Sequence, residues 1–106
     1  MDINEYTKWL IDFYKKRSWY DYNTFIRVNF LTEEVGEVSC AVRSLEIGRD
    51  RPDEKTKSEG YYKENLMEEL GDVLDNIIIL ADKYDISFED IITYHKNKLE
   101  ERFKNE

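Results

Sequence analysis

Little in this chain interrupts a helix: there is one Pro and there are four Gly in 106 residues. Those two residue types punctuate strand-and-turn folds, so a β-rich reading has almost nothing to stand on. Cysteine is nearly absent too. Cys40 is alone and cannot close an intrachain disulfide, and a free thiol fits a reducing compartment. The single histidine, His95, has Ile92 three positions before it. That excludes a diiron carboxylate bundle, which needs Glu-x-x-His on two helices. It also leaves Cys40 without an evident partner for nucleophilic chemistry. The longest apolar run, Ile77–Ala81, is far too short to span a bilayer, and the opening MDINEY has no apolar signal core. Phosphate-binding glycine loops are missing. Positive charge is in deficit, with 16 Lys and Arg against 24 Asp and Glu and a net charge of -8. This balance opposes duplex nucleic acid as a partner, because phosphates need a basic footprint. A nucleotide delivered with a divalent cation is not opposed, since the cation brings its own positive charge. The expectation is a cytoplasmic protein without membrane association.

What is present reads as four helices in a single domain over residues 1–106. So short a chain builds a small core, which favours a dimer or larger assembly. Asp2 and Glu5 form a capping pattern for a helix over Ile3–Lys16. RSWYDYN is a turn. A second helix starts near Asn23 or Thr24 and ends at Ile47, where Gly48 offers a cap. Its apolar stripe is Val28, Leu31, Val35, Val38, Val42 and Leu45. GRDRPDEKTKSEG is a polar loop, expected to be mobile. A third helix runs from about Tyr62 to Lys83, with Leu66, Leu70, Val73, Ile77 and Leu80 as its stripe. Ser87, with Asp90 three residues on, caps a fourth helix carrying Ile91, Tyr94, Lys98 and Arg102. The fold class is all-α.

Beside each stripe of the two central helices runs a second row. On the second helix it is Phe30, Glu34, Glu37, Ala41; on the third, Tyr62, Asn65, Glu69, Asp72, Asn76, Ile79. Both rows have core spacing and both carry two carboxylates in the middle. With the helices antiparallel, the two acid pairs stand at matching distances from the loop. Packed together at neutral pH, such carboxylates must take protons, turn to water or bind cations. Two readings follow: a solvated acidic face, or an all-oxygen site for Mg²⁺ or Mn²⁺. Glu33, Glu68 and Asp75 fall on other faces and read as surface charge.

The order LTEEVGEV and then EELGDVLDNIIILA resembles the MazG-like family of all-α nucleoside triphosphate pyrophosphohydrolases, which carry E-E-x-x-E followed by E-x-x-D on the next helix. Here those positions are Glu33, Glu34, Glu37, Glu69 and Asp72. KLEERF at Lys98–Phe103 is similar to the family's basic close, and RSW at Arg17–Trp19 to its turn before the first motif helix. The resemblance implies a four-helix, bundle-like fold completed by dimer or tetramer packing. It implies hydrolysis of a nucleoside triphosphate, canonical or not, to the monophosphate and pyrophosphate. Mg²⁺, with Mn²⁺ as the other candidate, would sit on Glu34, Glu37, Glu69 and Asp72. Glu33 or Glu37 would take the proton of the attacking water. Lys98 and Arg102, four apart on one helix face, are candidates for the phosphate tail, and Trp19 for stacking on the base. Arg49, Arg51, Lys55 and Lys57 lie in the loop, where solvated charge is the simpler reading. Two positions depart from the family pattern: Ile79 stands where many members have Asn, and Phe30 where a basic residue is common. Asn76, or Asn65 on the same row, is a candidate substitute contact to substrate. Two other functions fit the same residues: phosphoribosyl-ATP hydrolysis on the same architecture, and a non-catalytic helical interaction module.

Overall fold

Each helix begins where a short polar side chain takes up an otherwise unpaired backbone N–H. In the computed structural model, which describes residues 1–106, α1 spans Ile3–Lys16, α2 Thr24–Ile47, α3 Glu59–Lys83 and α4 Phe88–Arg102, with no strand. Asp2 accepts from the Glu5 amide at 2.8 Å, and Asn23 from the Ile26 amide at 2.9 Å. Ser87 and Asp90 exchange side-chain and backbone bonds in a reciprocal capping box at the start of α4. α3 starts three residues ahead of the expected Tyr62, because Ser58 accepts from the Tyr61 amide at 3.1 Å and so opens the helix inside the polar loop.

The chain falls into two compact units, residues 1–22 with 78–106, and residues 23–77. In the first, the buried apolar side chains are Leu10, Ile78 and Ile79. An aromatic ladder runs along α1: Trp9 stacks on Tyr6 and on Phe13, and the Arg17 guanidinium lies 3.4 Å from the Phe13 ring centre. The Tyr20 hydroxyl donates to Asp82 at 2.7 Å. That bond, with burial and the negative charge of Asp82, pushes the Tyr20 pKa up to about 12.

In the second unit the inward faces of α2 and α3 are not the ones their apolar periodicity suggests. Val28, Val35 and Val42, half of the expected α2 stripe, are 46%, 53% and 42% exposed, and Leu70 on α3 is 50% exposed. The fully buried positions are Arg27, Ala41 and Ser44 on α2 and Tyr62 and Asn76 on α3. Thus the second rows turn inward, with Glu37 left exposed, and the stripes are left partly open. The physical reason is that two adjacent rows on one helix share the same period, so periodicity alone does not decide which one meets the neighbouring helix.

The loop between α2 and α3 is pinned by polar contacts. Gly48 ends α2 in the left-handed region, at φ 79°. Its carbonyl accepts from the Tyr62 hydroxyl at 2.6 Å, and that hydroxyl in turn accepts from the Lys57 amide at 2.9 Å. Arg43 binds Asp50, and Glu54 accepts from the amides of Asp50 and Arg51. Gly48, Asp50 and Lys57 thus tie this segment to side chains of the flanking helices, Arg43 on α2 and Tyr62 on α3.

A Cβ at Gly48 would meet Thr56 at only ordinary contact distance, 3.4 Å, so the strain of a substitution there is in the backbone. Gly48→Ala should cost about 1–2 kcal/mol, the penalty of an L-residue in the left-handed region. The check is thermal melting followed by circular dichroism, where about 1 kcal/mol corresponds to a drop of roughly 4–8 °C for a domain of this size.

Candidate metal centre

Helical geometry brings three of the row acids together. Glu34 on α2 and Glu69 and Asp72 on α3 each offer a carboxylate oxygen, and these oxygens lie within 4.8 Å of one another. Glu69 and Asp72 are three apart and project from the same side of α3. Glu34 reaches them from the facing row of α2. All three side chains are part-buried.

Their electrostatics follow from this crowding. Burial raises the pKa of Glu34, and the charges of Asp72, Glu37 and Glu33 raise it further. Burial also raises Glu69, helped by Asp72, Glu34, Glu37 and Glu68. Asp72 is raised by burial and then by Glu68. Each group is held away from its charged form by lost hydration and by neighbours of like sign. An all-carboxylate donor set at this spacing suits a hard divalent ion, which would relieve the repulsion.

The remaining candidates are placed as follows. Glu37 and Glu33 are exposed on α2, near enough to act on Glu34 through charge. Glu37 also borders a 130 Å³ polar cavity, lined further by Cys40, Ala41, Ser44, Asp50, Glu54, Lys57, Tyr61, Tyr62 and Asn65. This cavity continues the two inner rows toward the loop. On α2 it takes Ala41 and Ser44 after Glu37; on α3 it takes Asn65 and Tyr62 before Glu69. Asn76 is buried, and both ends of its amide are engaged: Oδ1 accepts from Arg27 Nη1 at 2.9 Å, and Nδ2 donates to the Asp72 carbonyl at 2.9 Å. In the other unit, Lys98 and Arg102 share a hollow with Tyr94, Asn97 and Glu101, and Lys98 Nζ lies 5.5 Å from the Tyr94 ring centre. Trp19 stands edge-on to Phe13 and Tyr14. Of the loop cations, Arg49 donates to the Pro52 carbonyl and Lys57 Nζ lies 4.9 Å from the Tyr61 ring centre.

The family model described as the MazG nucleotide pyrophosphohydrolase domain matches residues 26–106. The chain belongs to the MazG family. Among curated proteins it is 52% identical over 105 residues to the uncharacterized protein YvdC of Bacillus subtilis (strain 168), covering 99% of each chain. No solved structure matches the chain. The matched segment contains all the row acids of this MazG chain, and it leaves out α1 and the turn that carries Trp19. No helix is long and apolar enough to cross a membrane.

Sequence reasoning passed over Arg27. The signal was there, because Arg27 lies two turns before Glu34 and extends the inner row of α2. A charged residue in the first turn of a helix is ordinarily read as surface, which is why the row seemed to start at Phe30.

Raised carboxylate pKa values mean that the native chain holds these protons more tightly than the unfolded chain does. The contribution of the three groups to stability is therefore greatest in acid, and it is lost as pH rises out of the ordinary carboxylate range, through the raised values. Melting in the presence of a chelator should show this decline, and the decline should flatten in Glu34→Gln. Added Mg²⁺ should raise the melting temperature above the raised pKa values and have little effect below them.

Proposed function

We propose that this chain is a divalent-cation-dependent pyrophosphohydrolase of nucleoside triphosphates, releasing the monophosphate and pyrophosphate. The observation that carries this reading is the meeting of Glu34, Glu69 and Asp72 in a MazG-family fold. We assign those three side chains to Mg²⁺. Bound there, the ion would offset phosphate charge, polarise the phosphorus under attack and favour ionisation of water. The protein's own groups do the rest. Glu37, exposed beside the cluster, accepts the proton of the attacking water. The water oxygen bonds to the α-phosphorus, the bond to the bridging oxygen breaks, and pyrophosphate leaves. Glu33 is the alternative base. Lys98 and Arg102 are assigned to the phosphate tail and Trp19 to the base. The polar cavity bordered by Glu37, Ser44 and Asn65 is assigned to part of the nucleoside, and at 130 Å³ it has room for about one six-membered ring.

The open stripe on α2 supports a homodimer or homotetramer. Val28, Val35 and Val42 recur at two-turn intervals on one face, with exposed Met67 and Leu70 on α3. A second copy is the proposed cover, since the chain alone buries few apolar side chains.

The deciding experiment is a panel of nucleoside triphosphates and phosphoribosyl-ATP with Mg²⁺, Mn²⁺ or chelator, read as monophosphate formed. Turnover confined to phosphoribosyl-ATP would move the assignment to that reaction, and no turnover in any condition would favour the interaction module. Two variants separate base from ligand. Glu37→Gln should lower kcat on the order of 10²-fold or more while leaving stabilisation by Mg²⁺ in place. Asp72→Asn should abolish that stabilisation along with turnover, and it should raise the melting temperature of the cation-free chain, because a repelling charge is gone. Both should keep full helicity by circular dichroism. Val35→Glu should shift the sedimentation coefficient toward that of a single chain, and an unshifted value would discard the assembly proposed for this face.

A further inference from the structure

Arg27 is 4% exposed and Asn76 5% exposed, both on the inner rows that carry the acids. The pairing between them has only one sense. A guanidinium only donates, so it must face the amide oxygen of Asn76, and the Asp72 carbonyl only accepts, so it must face the amide nitrogen. The distances agree at 2.9 Å for each bond. The amide thus links a side chain of α2 to the backbone of Asp72 on α3. Along α2, Arg27 lies two turns from Glu34, and along α3, Asn76 lies one turn from Asp72. Phe30, between Arg27 and Glu34, has its ring centre 5.5 Å from the same guanidinium.

A buried polar pair of this kind is a weak stabiliser, because an apolar pair of similar size fills the space without desolvating a charge. What the pair adds is fixed geometry: the planar fork of Arg and the planar amide of Asn allow little sliding between the two helices. We propose that Arg27 and Asn76 are positioning residues for the carboxylate cluster, holding Asp72 and Glu34 at the separation a divalent cation requires. This rests on the cation site proposed above and goes beyond it, because neither residue offers a ligand to the ion. In metal sites, groups that orient the ligands typically change affinity 10–100-fold when removed.

The test uses the full chain and Mn²⁺ alone, with affinity read by titration calorimetry and fold by thermal melting. The paired variant Arg27→Met with Asn76→Leu puts apolar groups in place of this bond, and it is read on affinity where melting and helicity show it folded. Its Mn²⁺ affinity should fall about tenfold or more. A purely structural pair would leave affinity unchanged once melting is preserved. Arg27→Gln is the milder variant, should the double change fail to fold. It keeps an amide donor but shortens its reach, and it should weaken Mn²⁺ severalfold with helicity intact. Parent-like affinity in a folded variant overturns the positioning role alone. A parent protein that binds no Mn²⁺ overturns the cation site, and the positioning role with it.

Discussion

Three carboxylates within 4.8 Å of one another, each losing hydration, are the constraint around which residues 23–77 are arranged. Two full charges about 4 Å apart near a protein surface repel by roughly 4 kcal/mol. Helices that face each other across such a cluster need attractive contacts elsewhere along their length. They have them at both ends. Toward the loop, the Tyr62 hydroxyl ties the last turn of α2 to the first turns of α3 through the Gly48 carbonyl and the Lys57 amide. Toward the other end, Arg27 meets Asn76. The acids sit between these two clasps. Hydrogen bonds on either side therefore act against their repulsion.

This arrangement explains which parts of the structure were legible beforehand. Helix limits follow local rules, and Asp2, Asn23, Gly48 and Ser87 each mark one through the hydrogen bond or backbone angle their side chains permit. The approach of Glu34 to Glu69 and Asp72 was legible as well, because i,i+3 carboxylates at matching depth are a geometric statement about two rods, although Glu37 stays outside the cluster. The direction of the apolar stripes was not. Val28, Val35 and Val42 look like core by period, yet they stay open because the inner face of α2 goes to Arg27, Glu34, Ala41 and Ser44. Periodicity reports that a face seeks a partner without naming which partner. Arg27 was hidden for the opposite reason. Its place on the row was readable, but its burial rests on tertiary contacts, among them the bond to Asn76, 49 positions away, which no local pattern encodes.

The charge distribution also links folding to ligand. A cluster raised by burial and by like charges makes the cation-free fold less stable as pH increases, whereas any ion that binds only the native arrangement stabilises it by mass action. Under the proposed cation binding, the same three side chains weaken the empty fold and would strengthen the loaded one. Such a site works only if the acids are kept close when no ion is present, since splayed carboxylates would regain water and relieve the repulsion without any cation. Exposed long side chains on a single helix are free to splay. Here Glu34 is on one helix and Glu69 and Asp72 are on another, so their separation is set by side-chain rotation together with the spacing of the two helices. The clasps at Gly48–Tyr62 and Arg27–Asn76 hold that spacing at both ends. The bonds that hold the helix spacing use none of the three carboxylates, and that separation of tasks leaves all three open to the proposed cation.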